Sequence, residues 1–359
     1  MDDRIVRDLI AACQRVADTL DGLPAVPEST CPVHARERHW LATWERVLNA
    51  RPLQRTETVS HGFATSIVQN FSRRPLTMTT IAYLGTGLLG AAFAEAAAKR
   101  GDTVTVWNRS PDKARAVEAF GAKVAATPAE AVRGAHRVHL VLKDDAVVED
   151  VLAQARGGLS PDVVVIDHTT TLPALTAARL DRLNAEGLRY LHCPVFMGPP
   201  AARNAQGSML VSGPQAVFTS VQSELARMTA RLEYLGERGD LAAVHKLFGN
   251  ALIVGLGGTI ADVVTMAGAS SVDAADAVKL IGMLDLNAMA ARIATGMAQR
   301  DFTPTFALSM ARKDVGLMLQ TAAERPMAAL PGVAARMDQL IAAGHGGKGT
   351  SVLAIDAGN

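Results

Sequence analysis

One glycine-rich turn constrains the fold of this chain more than any other segment. The stretch IAYLGTGLLG places Gly85, Gly87 and Gly90 in the spacing GxGxxG, after an apolar run and before an Ala-rich helical stretch. In a dinucleotide-binding turn these glycines permit a tight turn, backbone approach to a pyrophosphate, and helix packing on the strand. An ordinary Gly-rich turn is the alternative. The second strand arrives about twenty residues later, as such a site requires, so we expect the turn, including Thr86, Leu88 and Leu89, to bind a dinucleotide.

Short β-branched runs alternate with helical stretches after this turn. This alternation is typical of βαβ units and predicts a Rossmann-type α/β domain with a parallel sheet over residues 78–240. The predicted strands are TIAYLG, DTVTVWN, RVHLVL, DVVVID, RYLHC, SMLVSG and RLEYLG.

The strand pattern stops after Asp240. A helical window of roughly 28 residues follows, longer than the usual 8 to 20, and everything after it is compatible with helix. We therefore predict an all-helical domain over residues 241–359 for substrate binding and dimerisation, joined by this long helix. Gly255, Gly257 and Gly258 within the helix favour close approach of another helix.

Residues 1–77 differ in composition and are predicted to be an extension, helical or partly disordered. Apolar residues at helical spacing suggest helices over residues 5–20 and 40–48. A start at Met78 with poor order upstream, or a dedicated ligand site, are the alternatives.

Composition excludes several classes of partner. The chain has 36 basic and 35 acidic residues, a net charge of +1, and no basic run interleaved with aromatics, which disfavours nucleic acid. We expect no run to approach the roughly 20 apolar residues of a membrane span, and the N-terminus lacks a signal-peptide core. Three scattered cysteines give no metal spacing. We expect a cytoplasmic protein with a small-molecule partner and no metal.

The end of the second strand indicates which nicotinamide cofactor binds. An NAD site has a carboxylate there, whereas this chain has Asn108 followed by Arg109 and Ser110. Arg109 can pair with a 2′-phosphate and Ser110 can donate to it. The residues therefore favour NADP over NAD, although Arg109 could also be a solvated loop arginine.

From about residue 78 to 355 the chain resembles the β-hydroxyacid dehydrogenases, the family of 3-hydroxyisobutyrate dehydrogenase and tartronate semialdehyde reductase, distantly related to 6-phosphogluconate dehydrogenase. The GxGxxG turn, LVLKDDAVVEDVL and IDHTTTLP follow the family's order. The resemblance implies that Leu142, Lys143 (in place of a proline) and Thr170 lie near the cofactor, and that the protein is a dimer or larger. Considered alone, Thr170 could equally be a turn or helix-cap hydroxyl.

The segment HKLFGN carries the most informative motif. Lys246 and Asn250 are four residues apart on a predicted helix and so share a face. The resemblance implies that Lys246 is the catalytic lysine and that Asn250 orients the substrate. A lysine suits hydride transfer because its ammonium can stabilise and protonate the oxygen of the product. A surface lysine is the alternative.

Three other predictions concern Lys313, Gly349 and a group of three histidines. The resemblance places Lys313 near the nicotinamide, with Asp314 beside it, although a solvated Lys-Asp pair is the alternative. Gly349 stands where the family usually has an acid. His245, His168 and His192 form a candidate cluster, with structural histidines as the favoured interpretation.

The segment HCPVFMGPP departs from the family's substrate loop. Its prolines and glycine predict a loop, in which Phe196 replaces a serine, Met197 replaces a glycine, and Gly198 is retained. We expect these three residues to line a pocket for a bulkier or less charged carbonyl substrate. Phe196 and Met197 could instead plug the domain interface, and Arg203 could restore a contact to an anion.

Three functions remain open at this point. The first is an NADP-dependent carbonyl reductase, or the reverse dehydrogenase, in which Lys246 is the general acid or base. The second is an imine reductase, a class that shares the two-domain plan but generally lacks this lysine. The third is a non-catalytic NADP-binding module, against which the pair Lys246 and Asn250 argues.

Overall fold

The computed structural model describes residues 79–357, and the chain from Thr79 onward forms one contact unit. The extension predicted over residues 1–77 lies outside the described residues. The limits of the predicted domains stay predictions.

A nine-stranded sheet forms the first half of the described chain. Its order is β3-β2-β1-β4-β5-β6-β8-β7, and β9 pairs with β8. The strands are β1 Thr80–Leu84, β2 Thr103–Trp107, β3 Lys123–Val124, β4 Arg137–Leu140, β5 Val164–Asp167, β6 Arg189–His192, β7 Val195–Phe196, β8 Ser208–Ser212 and β9 Arg231–Gly236.

Helices cover both faces of this sheet, as expected for alternating strands and helices. The face with Tyr83 and Ile166 packs on apolar residues such as Phe93 and Phe218, and the other on residues such as Val148 and Leu180. These helices are α1 Leu88–Lys99, α2 Pro111–Arg115, α3 Pro128–Val132, α4 Asp145–Ala155, α5 Pro173–Ala185, α6 Pro199–Arg203 and α7 Gln215–Ala226.

The seven predicted strands are all present, but the sheet is not parallel throughout. Strands β1 to β6 pair in parallel. Strand β8 runs antiparallel to β6 and β7 and parallel to β9. The expectation of a parallel sheet is therefore wrong at this edge, where β8 follows β7 through only a short helix.

The second half of the described chain is helical, as predicted. It comprises α8 Leu241–Ala269, α9 Ala274–Val278, α10 Leu286–Ala298, α11 Leu308–Thr321 and α12 Leu330–Leu340. Helix α8 has 29 residues, which confirms the expected long helix. Ser212 fixes its start, because the hydroxyl oxygen accepts from Ala242 N at 3.2 Å and its O–H donates to the Gly239 carbonyl.

Helix α8 leaves most of its apolar surface uncovered. Leu252 is 76% exposed and Val254 is 73% exposed. By length and composition alone this helix could cross a membrane, so the expectation that no segment is apolar enough was wrong. The cause is that its few polar residues are mostly uncharged, which keeps the window apolar even where Gly, Thr and Asn interrupt it.

Candidate active site

The glycine turn connects β1 to α1 and leaves space where a pyrophosphate would bind. Gly85 has a φ of 102°, and a Cβ there would collide with the Val141 carbonyl. A Cβ on Gly90 would collide with the Gly85 carbonyl, whereas one on Gly87 would meet nothing within 4 Å. Each glycine therefore has the geometry that the motif predicts.

The amino end of α1 is free to bind an anion. Its N-cap, Gly87, provides no side-chain cap, and the first turn has no acidic residue. The first N–H groups of a helix attract negative charge when no side chain satisfies them. The hydroxyl of Thr86 is buried and has no hydrogen-bond partner within residues 79–357. These features fit the pyrophosphate of a dinucleotide; Leu88 and Leu89 form the first turn, and Leu88 is exposed.

Asn108, at the end of β2, holds the glycine turn in place. Its Oδ1 accepts from Thr86 N at 3.0 Å, and its Nδ2 donates to the Ser110 carbonyl at 3.0 Å. The adjacent Arg109 and Ser110 are exposed. Within the described chain Arg109 has no ion-pair partner. Lys113, on α2, is also exposed and lies four residues after Arg109.

The loops after β4 and β5 are tied together beside the glycine turn. Leu142 N donates to Thr169 Oγ1 at 3.1 Å, and Thr169 N donates to Asp167 Oδ1 at 2.9 Å. Thr170 is exposed, and Lys143 is exposed and pairs with Asp144 at 3.5 Å. Thr169 therefore makes the structural bonds, and Thr170 is accessible from outside.

The segment predicted as a loop, CPVFMGPP, contains a strand and a helix. Val195 pairs with Met209 and Phe196 with Ser208, in the same register in which His192 pairs with Ser212. Strand β7 thus continues β6 along β8 past Pro194, whose carbonyl accepts from Leu210 N. This extension carries Phe196 beyond the end of the parallel sheet towards α8.

Lys246 lies where this extended strand meets α8. Its Nζ donates to the Val195 carbonyl at 2.7 Å and lies 4.2 Å from the centroid of the Phe196 ring. The side chain is partly buried, and burial lowers the pKa of Lys246 below its ordinary value. The structure therefore brings Lys246 and Phe196 together at the junction that the sequence predicted.

The other residues of this segment have different environments. Met197 packs against the sheet-domain core, and a Cβ on Gly207 would come within 2.8 Å of its Cβ. Gly198 is exposed and precedes α6. Arg203 Nε donates to Glu95 on α1 at 2.7 Å, so the expectation that it restores an anion contact in the pocket is not supported.

The side chains of Asn250 and Lys313 make fewer polar contacts than that of Lys246. Asn250 is partly buried one turn after Lys246, and its side chain makes no hydrogen bond within residues 79–357. Lys313, on α11, pairs with Asp314 at 2.9 Å. In the described chain no hydrogen bond or ion pair joins Lys313 to the sheet domain.

The three predicted histidines do not form one cluster. His245 is exposed, and its Nδ1 lies 2.9 Å from the Leu241 carbonyl. His168 and His192 are buried, and His168 Nε2 lies 2.9 Å from Nδ1 of His139, a partner the sequence did not indicate. Burial lowers the pKa of His168 to about 4 and that of His192 to about 3, so both rings are neutral.

An ionic group centred on the buried Arg179 joins α4, β5 and α5. Arg179 is 2% exposed and donates to Asp145 and Glu149 at 2.7 Å each. Asp167 lies 3.6 Å from it and accepts from the hydroxyl of Tyr190. Nothing in the local sequence distinguished Arg179 from Arg182, the other arginine of α5, because Asp145 and Glu149 lie 34 and 30 residues away in the chain.

Comparison with known proteins also identifies a dinucleotide-binding domain in the sheet half of this chain. Residues 80–236 match the NAD-binding domain of 6-phosphogluconate dehydrogenase. An uncharacterised oxidoreductase of Shewanella frigidimarina is 30% identical over 271 residues, 73% of this chain and 91% of that protein.

Relatives with assigned names include enzymes of two kinds. The mitochondrial 3-hydroxyisobutyrate dehydrogenase of Drosophila melanogaster is 25% identical over 246 residues, 66% of this chain and 76% of that protein. The NADPH-dependent reductive aminase of Aspergillus oryzae is 30% identical over 179 residues, 50% of this chain and 59% of that protein.

Solved structures share the fold. A reductive aminase from Aspergillus terreus in complex with NADPH4, cyclohexanone and allyl amine has a TM-score of 0.70 and 24% identity. The match covers 78% of this chain and 99% of that chain.

Proposed function

This chain belongs to the β-hydroxyacid dehydrogenase family, oxidoreductases with the NAD-binding domain of 6-phosphogluconate dehydrogenase, and we propose that it is an NADP-dependent carbonyl reductase with Lys246 as its proton donor. The position of Lys246 carries this proposal. Its ammonium is held at the junction of sheet and helices by the Val195 carbonyl.

The reaction needs one hydride and one proton. A reduced nicotinamide cofactor, held at the glycine turn, would supply the hydride to the carbonyl carbon as the C=O bond is reduced. Lys246 donates the proton from Nζ to the oxygen, where negative charge develops, and is left as a neutral amine. Because the side chain is only partly buried, water can return the proton. In the reverse direction the neutral amine accepts the proton of the alcohol.

The environment of Phe196 supports a substrate of low charge. The family's serine hydroxyl is replaced by an aromatic ring, and Arg203 is already paired with Glu95. A carboxylate beside this ring would lose water without the hydroxyl donor that the family's serine provides, which is unfavourable. A neutral carbonyl avoids this penalty. We further propose that Thr170, Gly198 and Asn250 line the substrate side, whereas Met197 packs in the sheet domain.

Arg109 supports the choice of NADP over NAD. It is exposed beside Ser110 and Lys113, and within residues 79–357 no carboxylate pairs with it. A 2′-phosphate can take up the guanidinium's donors in two parallel hydrogen bonds. In the same proposal Lys143 and Lys313 provide further positive charge to the cofactor, Lys313 from the helical region.

A second copy of the chain is proposed to cover α8. Large apolar residues of this helix are exposed over several turns, among them Phe248, Leu252, Ile253, Val254 and Leu256. An apolar surface of this kind marks an interaction site, and identical copies are the commonest partner. A lipid bilayer is a poorer fit, because Asp262 lies within the same helix and accepts three backbone hydrogen bonds from residues 328–330.

Imine reduction is the second candidate, favoured by the similarity to the reductive aminase of Aspergillus oryzae. A protonated imine already carries the proton that the product nitrogen needs, so hydride transfer to it requires no acid. Lys246 therefore separates the two candidates.

The test is an NADPH-oxidation screen of ketones, aldehydes, keto acids and cyclic imines. We expect neutral ketones or aldehydes to be reduced, and Lys246→Ala to lower kcat by about 10²- to 10⁴-fold, the usual contribution of a general acid. Lys279→Ala, which removes an exposed helix lysine paired with Asp276, is the matched control. Imine reduction that is unaffected by Lys246→Ala would favour the second candidate, and carbonyl turnover that survives it would exclude the proposed role.

A further inference from the structure

Phe196 and Lys246 are in direct contact, and the same ring also packs against Gly249 of α8. A Cβ placed on Gly249 would collide with Phe196 Cζ and Cε1. The ring therefore fits against α8 only because position 249 lacks a side chain. Gly249 is on the same helix as Lys246, three residues later.

We propose that Phe196 is a positioning residue for Lys246. Its ring face and the Val195 carbonyl hold the lysine as an ammonium. The absence of a side chain at Gly249 leaves the space on α8 that the ring occupies. This inference rests on the proposed function of Lys246 as proton donor, and it explains why an aromatic side chain stands where the family has a serine.

The number of donors supports this arrangement. An ammonium has three N–H groups. One donates to the Val195 carbonyl at 2.7 Å, and the positive charge lies 4.2 Å from the ring centroid, within the range of a cation–π contact. A donor remains for the oxygen of a substrate, with its direction set by the other contacts.

The ring and burial act on the lysine in opposite directions. Burial lowers the pKa of Lys246. The electron-rich face of the ring attracts the ammonium and not the neutral amine, which favours the protonated form. Removing the ring's negative face while keeping its volume should therefore make Lys246 lose its proton at lower pH.

Other titratable groups near the start of α8 have partners or, like Asp181, are exposed. Strands β7 and β8 contain no titratable side chain, and His245 is exposed and close to the Leu241 carbonyl. Helix α5 and strand β9 also pack on α8. Their paired groups are Arg179 with Asp145 and Glu149, Arg182 with Glu149 and Glu186, Glu233 with Arg231, and Tyr234 with the Gly213 carbonyl.

The first experiment weakens the ring face without removing the ring. We would replace Phe196 with 3,5-difluorophenylalanine and, separately, make Phe196→Leu. The pKa of Lys246 is measured from the ¹³Cε resonance of labelled lysine, identified by its loss in Lys246→Ala. A cation–π contact of this kind predicts a decrease of about 0.5 to 1.5 pH units. The alkaline limb of kcat/KM for carbonyl reduction should move by the same amount.

The matched control is the same pair of substitutions at Phe218. That ring is buried in the sheet domain and stacks on Tyr234 at 4.6 Å. We expect these variants to lose stability without moving the Lys246 resonance or the alkaline limb.

The second experiment tests whether the ring requires a residue without a side chain at position 249. Gly249→Ala should displace the ring and shift the pKa of Lys246 in the same direction as Phe196→Leu. In the double variant the smaller, flexible leucine leaves room for the new methyl group, so its shift should not exceed that of Phe196→Leu alone. Gly157→Ala, where a Cβ meets nothing within 4 Å, is the control.

The outcomes separate the inference from the proposed function. An unchanged pKa of Lys246 in the difluorophenylalanine protein would overturn the inference, whatever Lys246→Ala does to turnover. A shifted pKa with an unshifted pH profile would uphold the contact but contradict Lys246 as the proton donor. Equal shifts from the Phe218 and Phe196 variants would show a general effect of destabilisation, which also overturns the inference.

Discussion

Helices α1 and α8 show how differently the two halves of this protein are stabilised. Seven of the 12 residues of α1 are buried, against four of the 29 residues of α8. Both helices are rich in apolar residues. Helix α1 packs on the sheet, whereas only the first turns of α8 contact it. The comparison teaches that an apolar sequence specifies a buried surface without specifying what covers it.

The halves also differ in their buried polar groups. The sheet domain buries His139, His168, His192 and Asp167, whose partners include one another, backbone groups and the hydroxyls of Thr171 and Tyr190. In the helical half of the described chain Asp262 is the one fully buried charged residue. Its carboxylate accepts from the amides of Ala328, Ala329 and Leu330 and fixes the start of α12 against α8.

The largest expected effect concerns the uncovered face of α8. Leu252→Glu places an unpaired charge on this face, and burying such a charge at an interface costs several kcal/mol. If a second copy covers α8, association should weaken by about 10³-fold, seen as a change to monomer in sedimentation velocity. Phe120→Glu, at an exposed position of the sheet domain, is the control. An unchanged sedimentation coefficient for Leu252→Glu would contradict the proposed second copy.

Asp262→Ala is expected to have the next largest effect. It leaves three backbone N–H groups without their acceptor, a loss of about 3 kcal/mol or more. Hydrogen exchange at Ala328, Ala329 and Leu330 should accelerate accordingly, while amides of β1 and β4 stay protected. Asp273→Ala, which removes an exposed cap at α9, should cost only about 1 kcal/mol. Equal effects of the two substitutions would mean that Asp262 is an ordinary cap.

Acid should destabilise the sheet domain before the helical one. The pKa values of His139, His168 and His192 are lowered in the folded state, so below pH 6.5 the unfolded chain binds more protons. Stability is therefore fully present above about pH 6.5 and falls towards pH 4 by about 1.4 kcal/mol per pH unit for each histidine. Asp167, whose pKa is raised by burial, acts in the opposite direction.

The check is urea unfolding between pH 5 and 6.5. Replacing His192 with Gln removes one of the three groups, so the slope of stability against pH should fall by about 1.4 kcal/mol per pH unit. A variant with the wild-type slope would show that His192 is not a neutral, buried group.

The smallest expected effect concerns the cofactor edge of the sheet domain. Arg109→Ala removes a charged hydrogen bond to a 2′-phosphate, so the Kd for NADPH should rise by about tenfold. The Kd for NADH should change little, and so should the oligomeric state. Fluorescence titration with both cofactors provides the measurement. An equal rise for both would remove Arg109 as the basis for preferring NADP.

Much of the fold could be predicted because its signals are local. The glycine turn, the seven strands and the long helix all follow from residue types and their spacing along the chain. The place of Lys246 near the start of the long helix also followed from sequence, through a motif within one helix. Strands β3 and β7 were missed because each has only two residues, and β7 exists through its pairing with β8 beyond a proline.

The sequence by itself determined that this protein has a dinucleotide turn on a Rossmann-type sheet followed by helices, because those features depend on neighbours a few residues apart. Only the tertiary structure decided that Phe196 lies against Lys246 and Gly249, that Arg203 pairs with Glu95, and that Asp262 holds α12. These contacts join residues roughly 50 to 108 positions apart. Their energies depend on the burial of the groups and on the direction of each hydrogen bond, which neighbouring residues in the sequence do not determine.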